Sequence, residues 1–285
     1  MDHSLLPGPG DIAAYREHGF WISPVVIPEA VLDAAERGMR RFYAGERDTD
    51  LAERPGLREL GGWTPADGPG LRKNDYASLV VRELADLVAY PAIAACAARL
   101  AGATSIRLWH DQLLYKPVDA PGVAANVGWH TDRQYWLSCA SEEMLTAWVA
   151  FHDVDERGGS VSFLEGSHRS DVDGLDFFRQ DLDLLAQRTS RQGFAARVRP
   201  TAMRRGQVSF HHCRTVHGSG PNHSTEPRRS LAIHLQPGDN RWRRHTGPDG
   251  QPARHGNDRL VRHVDAVPDY ADPRICPQLW PPHPA

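Results

Sequence analysis

The feature that most limits what this chain can fold into is a change of texture near residue 104. Upstream, apolar residues recur at helical spacing. Asp11 to Gly19 reads as a short helix through Ile12, Ala13 and Tyr15. Glu29 to about Tyr43 reads as a longer one through Val31, Leu32, Ala35, Met39 and Phe42, opened by Pro28 and ended by Gly45. Val80 to Ala101 reads as a third, broken or restarted at Pro91. Phe20–Ile22 and Val25–Ile27 read as strand, and residues 45–77, rich in Pro and Gly, as a long irregular segment. Downstream come short β-like runs separated by turns: Ser105–Lys116, Met144–His152, Ser160–Leu164, Gln207–His211 and Ser230–Gln236. Helices followed by many short strands imply an α+β chain whose strands close into a sandwich or barrel. Asp171 to Arg197 interrupts the strands with Leu175, Phe177, Phe178, Leu182, Leu184 and Leu185, which suggest a helix and a candidate lid.

With 285 residues the chain has ample length for a substantial core, and no break in composition forces a split into domains. The expectation is one domain over 1–285, with a helical region at 1–103, a β core at 104–240 carrying an insertion at 169–200, and an extension at 241–285 whose prolines (Pro277, Pro281, Pro282, Pro284) suit a surface tail. A net charge of −3 supplies no basic field for nucleic acid, so the expected partner is a small molecule. Nothing in the sequence sets an oligomeric state. Cys96, Cys139, Cys213 and Cys276 are scattered without a CxxC pair, as reduced thiols are. Met1–Pro7 lacks a basic segment followed by an apolar one, and no run reads as a membrane span, so the expected location is cytoplasmic.

Within the β region one pair stands out. In Gly128-Trp129-His130-Thr131-Asp132, the His130 imidazole and the Asp132 carboxylate lie two residues apart and so share a face of an extended segment. Alone, such a pair is far more often a hydrogen-bonded surface pair than a metal site. His217, in Val216-His217-Gly218-Ser219-Gly220, supplies a third donor. Two imidazoles and one carboxylate form a facial triad with open positions, the arrangement of non-haem Fe(II) sites that activate O2. A closed zinc site wants four protein ligands, and the HExxH pattern of a helical hydrolytic site is absent. Just beyond lies Arg228-Arg229, and an Arg fork can hold a carboxylate bidentately. On one strand the two face opposite ways. Arg229 shares phase with the apolar Leu231, Ile233 and Leu235, which assigns Arg228 to the pocket with Ser230, Ala232 and His234. By the same alternation His110, Gln112, Leu114 and Lys116 form one face of a strand, a polar face suited to a pocket wall. His168, His211 and His212 are further imidazoles outside the triad pattern.

In this combination and order the chain resembles the phytanoyl-CoA dioxygenase family of Fe(II)/2-oxoglutarate oxygenases. The resemblance is carried by Gly128–Asp132, Leu145–Phe151, Gly158–His168 and Val216–Asn222 followed by Arg228, and it extends from the N-terminal helix-strand pattern to about residue 240. Glu165 departs from the Pro usual before Gly-Ser-His, which touches the local turn and not the metal donors. The resemblance implies a double-stranded β-helix (jelly-roll) core flanked by N-terminal helices. It implies iron on His130, Asp132 and His217, 2-oxoglutarate held through its distal carboxylate by Arg228, and O2 as co-reactant. Ser219, Trp148 and Gln112 match positions that line the cosubstrate in relatives. Related halogenases leave the carboxylate position empty for chloride, so Asp132 argues for oxidation of a C–H bond. The substrate expectation is a small polar natural product, as in relatives that act on aminoglycoside intermediates, with Asp111, Asp119, Glu142 and Glu143 as acidic residues that would suit a polycation. A lipid or acyl substrate, and a non-catalytic metal-binding jelly roll, remain the alternatives.

Overall fold

The computed structural model describes residues 2–49, 56–57, 70–121, 125–170, 172, 181–247 and 250–282. Two antiparallel sheets face one another. The larger contains β1 (Phe20–Ile22), β2 (Arg72–Asp75), β3 (Ile106–Lys116), β5 (Leu145–Ala150), β8 (Val208–His212), β10 (Arg228–Pro237) and β13 (Gln278–Trp280), in the order β1-β8-β5-β10-β3-β13 with β2 also on β3. The smaller runs β4-β9-β6-β7, formed by β4 (Val127–His130), β9 (His217–Ser219), β6 (Ser162–Leu164) and β7 (Val198–Pro200). This is the expected jelly roll in an α+β chain.

Alternation along the central strands builds two cores at once. Leu145, Ala147 and Val149 of β5, Val208 and Phe210 of β8, and Leu231, Ile233 and Leu235 of β10 point to one face, where the helices cover them. Thr146 and Trp148, Ser209 and His211, and Ser230, Ala232 and His234 point into the sandwich, toward the small sheet. The cover consists of α1 (Pro9–His18), α2 (Glu29–Tyr43), α3 (Arg82–Val88) and α4 (Pro91–Ala101). In α2 the buried side chains Leu32, Ala35, Met39 and Phe42 fall on one stripe, against Leu84 and Leu87 of α3. Each large one contributes roughly 1.5–3 kcal/mol on burial. Pro91 sits at the first position of α4, so the expected third helix is two helices, restarted at a residue that has no N–H to lose.

Several elements differ from expectation. Val25–Ile27 is not a strand: the Val26 and Ile27 amides both donate to the Gly206 carbonyl, leaving a turn that leads into α2. The irregular stretch 45–77 contains β2, too polar for an apolar pattern, while residues 50–55 and 58–69 lie outside the described set. Arg82–Ala101 is long and apolar enough by composition to cross a membrane, contrary to the expectation that no run was. It is divided into α3 and α4, and its Leu84, Leu87, Ile93 and Leu100 are buried in the core, which accounts for the composition. Of the insertion, α5 (Leu182–Arg191) is described, and 171 and 173–180 are not. Leu185 packs with Trp129, Leu164 and Val216, side chains that alternate with His130, Phe163 and His217 and so occupy the outer face of the small sheet.

The C-terminal segment is not a surface tail. β13 pairs with β3, and α6 (Gly256–Leu260) and the hairpin β11 (His263–Val264) with β12 (Val267–Pro268) bring a second apolar cluster over Trp109. The reason is local. Tyr270, Ile275 and Cys276 are buried there and Pro277 is half-buried beside them, whereas Pro281 and Pro282 are exposed as expected and Pro284 lies outside the described residues.

Candidate metal centre

His130 ends β4 and His217 begins β9, and the two are direct cross-strand partners, so register alone sets the imidazoles side by side. Asp132 follows at the start of a 3-10 turn, Asp132–Tyr135. The three donor atoms lie within 4.8 Å of one another, and all three residues are buried. Their tautomers are set by the backbone. Nδ1 of His130 is 2.8 Å from the Gly128 carbonyl and Nδ1 of His217 is 2.9 Å from that of Thr215. A carbonyl only accepts, so each Nδ1 carries the hydrogen and each Nε2 is left as a lone pair for a cation. Burial lowers both imidazoles below their ordinary range, which keeps them neutral.

The carboxylate is oriented with equal care. Oδ2 of Asp132 accepts from Thr146 Oγ1 at 2.5 Å and lies 3.2 Å from His211 Nε2, which donates to it. Thr146 Oγ1 in turn lies 2.7 Å from Nδ1 of His234, the donor of that bond because the threonine hydrogen is already given to Asp132. With Oδ2 doubly occupied, Oδ1, at 3.7 Å from His217 Nε2, is the oxygen that faces the shared centre. Burial alone would raise the Asp132 carboxyl, but His217, His211 and His234 around it carry it well below its usual range. The centre therefore presents two neutral nitrogens and one ionised oxygen, a hard-to-borderline set that fits Fe(II) and leaves positions open. Thr146, His211 and His234 are missing from the expected site. His211 and His234 share inward phase with neighbours already named, but nothing in sequence shows what they touch.

Two cavities meet at this centre. The smaller, about 60 Å³, runs between the sheets past Trp148, Val161 and Leu114 to Ser219 and Arg228. The larger, about 260 Å³, is lined by Asp75, Tyr76, His110, Trp136, Arg254 and His255 among others. Gln112 lines both.

Arg228 is 2% exposed. Its Nη1 donates to the Gly159 carbonyl, its Nε has no hydrogen-bond partner among the described residues, and its guanidinium carbon lies 5.3 Å from the Trp148 ring centre. Burial lowers it only to about 10, so it is a cation at neutral pH. Arg229 points the other way, 3.5 Å from Glu36 on α2. A buried cation with an unmet donor is suited to an anion, and the dicarboxylate 2-oxoglutarate has one to offer. Gly159 stands at φ +67, and a Cβ there would come within 2.9 Å of the Gly220 and Pro221 carbonyls, so glycine is what lets this turn close over Arg228. Lys116, fully buried, donates to the Ser219 carbonyl at 3.1 Å and to Ser219 Oγ at 2.7 Å; burial, with Arg228 nearby, lowers it to about 6. It ties the end of β3 to the strand that bears His217.

The remaining expectations separate by place. His168, 3.0 Å from the Arg16 carbonyl, and His212, 3.8 Å from Glu143, line neither cavity. Glu165 pairs with His18 at 2.8 Å and Arg199 at 3.1 Å, while Gly166 at φ +75 makes the turn. The four acidic residues suited to a polycation are not in the cavities. Asp111 is buried on the far face of β3 against Ser78, where burial raises it to about 7. Glu142 pairs with Arg133, Glu143 with His212, and Asp119 with His223. Besides the metal donor Asp132, the carboxylate that lines the larger cavity is that of Asp75, on the strand inside the segment read as irregular.

The chain is similar to a probable alpha-ketoglutarate-dependent hypophosphite dioxygenase of Stutzerimonas stutzeri, 32% identical over 134 residues, 45% of this chain and 44% of that protein. It is 26% identical over 134 residues to the peroxisomal phytanoyl-CoA dioxygenase of Bos taurus, 46% of this chain and 40% of the relative. The matches thus span less than half the length of either relative. Among solved structures it resembles SnoK, a non-heme alpha-ketoglutarate-dependent carbocyclase from nogalamycin biosynthesis, at a TM-score of 0.65 and 25% identity, over 87% of this chain and 94% of that one. A family model matches residues 15–230, which hold both sheets' paired strands from β1 to the start of β10 and all three donors of the centre, and the chain belongs to the phytanoyl-CoA dioxygenase (PhyH) family.

Proposed function

We propose that the protein is an Fe(II)- and 2-oxoglutarate-dependent dioxygenase that oxidises or hydroxylates a C–H bond of a small polar natural product, with an aminoglycoside intermediate as the working example. One observation carries the reading. A three-donor centre with open positions shares a cavity with a buried, incompletely paired arginine. His130, Asp132 and His217 would hold the iron. Arg228 would take the distal carboxylate of the cosubstrate, with Ser219, Trp148 and Gln112 along its length. When bound, iron with 2-oxoglutarate and O2 supplies the oxidising power that no side chain here possesses.

The chain's own part is orientation and shielding. Gly128 and Thr215 hold the imidazole tautomers, and Thr146 with His211 keeps one carboxylate oxygen turned inward. Lys116 fixes Ser219 two residues from His217. Trp148, Val161 and Leu114 make the cosubstrate cavity apolar between its polar ends, which would limit water on the Arg228 side of the centre.

The test is O2-dependent conversion of 2-oxoglutarate to succinate by the iron-loaded full chain, wild type against His130→Ala. Turnover lost in the variant supports the reading. Iron uptake without turnover across a broad panel of polar substrates would leave a metal-binding jelly roll instead.

A further inference from the structure

The larger cavity carries more information than its volume. Two of its polar side chains, His110 and Asp75, hold atoms without a hydrogen-bond partner among the described residues. His110 is 4% exposed, yet neither of its ring nitrogens has a hydrogen-bond partner among the described residues, and neither does Oδ1 of Asp75. A neutral imidazole offers one donor and one acceptor; a carboxylate oxygen only accepts. His255 receives the Asn257 amide on Nδ1 at 3.1 Å, so its Nε2 carries a hydrogen and donates. His234 gives its Nδ1 hydrogen to Thr146, so its Nε2 accepts. Donors and acceptors together line one space that also reaches His130 and Asp132.

Aromatic faces complete the lining. Trp136 and Tyr76 stand 6.1 and 5.7 Å from the His110 ring, and the Tyr76 hydroxyl is already bonded to Asn257 Oδ1 at 2.7 Å, which leaves its ring as the surface presented. A hydroxyl group both donates and accepts, and the C–H faces of a saturated ring pack on aromatic surfaces. The Asp75 carboxylate already has Gln112 as one partner, and an acyl chain in this space would leave its Oδ1 and both His110 ring nitrogens buried without one. A small oxyanion would meet Lys73 and Arg254 but would also face Asp75, and it would fill little of about 260 Å³.

We propose that this cavity is a subsite for a polyhydroxylated ring, a saccharide or a cyclitol, with Asp75 and His110 as its hydroxyl-binding pair and Trp136 as the ring's packing surface. The assignment rests on the oxygenase reading for what happens to the ring, and on the cavity alone for its binding.

The test is anaerobic calorimetry on the full chain loaded with Fe(II) and 2-oxoglutarate, titrated with neamine, myo-inositol, decanoyl-CoA and hypophosphite. A ring probe binds, and Asp75→Asn and His110→Gln, made separately, each weaken it by about tenfold or more. The affinity for 2-oxoglutarate, measured in the same variants, changes by less than about twofold. Binding of decanoyl-CoA or hypophosphite in place of the rings, or ring binding indifferent to both substitutions, overturns the subsite. A wild-type chain that takes up no metal and 2-oxoglutarate but still binds a ring in an Asp75-dependent way sinks the oxygenase reading and upholds the subsite.

Discussion

Thr146→Val isolates the device that aims Asp132. Valine reproduces the shape of threonine, so packing in the fully buried position is kept while the hydroxyl is removed. Two bonds go with it: the 2.5 Å donation to Asp132 Oδ2 and the 2.7 Å acceptance from His234 Nδ1. A hydrogen bond to an ionised group is worth roughly 1.5–3 kcal/mol. His211 remains on Oδ2, so the carboxylate keeps one of its two anchors and the loss stays toward the lower figure. At about 1.4 kcal/mol per decade, metal affinity should fall by roughly tenfold, the lower end of what removal of a metal ligand's outer partner costs. The assay is Fe(II) or Co(II) titration of the metal-free chain, read calorimetrically, beside Thr146→Ser, which keeps the hydroxyl and should stay within about threefold of wild type. The orphaned His234 N–H adds a separate cost of roughly 1–3 kcal/mol to folding, visible as a lower Tm of the metal-free variant. If Thr146→Val binds metal as tightly as wild type while Tm falls, the hydroxyl serves the fold alone and the orientation argument is wrong.

Other substitutions probe other parts. Arg228→Lys keeps a charge but loses the fork; 2-oxoglutarate affinity should drop by roughly tenfold or more with metal affinity unchanged, measured by titration at fixed metal. Leu185→Ala in α5 should cost roughly 2–5 kcal/mol in denaturant unfolding and leave metal affinity intact, because the helix covers the outer face of the small sheet; altered metal binding would place it over the site instead. Burial lowers His168 and His234 to about 4 and His255 to about 3. The unfolded chain takes up these protons near pH 6.5 and the folded chain only below about 4, so the unfolded state binds more protons in between. Stability of the metal-free chain should therefore fall as pH drops from about 6.5 to 4, and a Tm flat across that window would refute the buried neutral histidines.

Much of the site was legible because it is written in short-range terms. His130 and Asp132 are two apart, and Arg228 and Arg229 were separated by strand alternation with the apolar face of β10 as the reference. The same rule read β3 correctly only by luck of its second half. Ile106 and Leu108 lie on the helix-covered face, and His110, Gln112, Leu114 and Lys116 have the same parity, yet these four turn inward. Between them the register slips: Leu235 pairs with Leu108 and His234 with His110, leaving Trp109 as an extra residue. That bulge re-aims the rest of the strand into the sandwich, and no pattern of residue types announces it.

Sequence by itself determined the order of helices and strands, the donor types at the centre and the cation that follows them, because spacing along one chain decides which side chains share a face. Tertiary structure alone decided what those side chains meet. Thr146, His211 and His234 reach Asp132 from three different strands, and His110 of β3 meets Asp75 and His255 from β2 and the C-terminal segment, two stretches that local pattern leaves as loop and tail. The physical reason is that hydrogen-bond partners and cavity walls are made by long-range register, and register depends on pairings and bulges between segments a hundred residues apart.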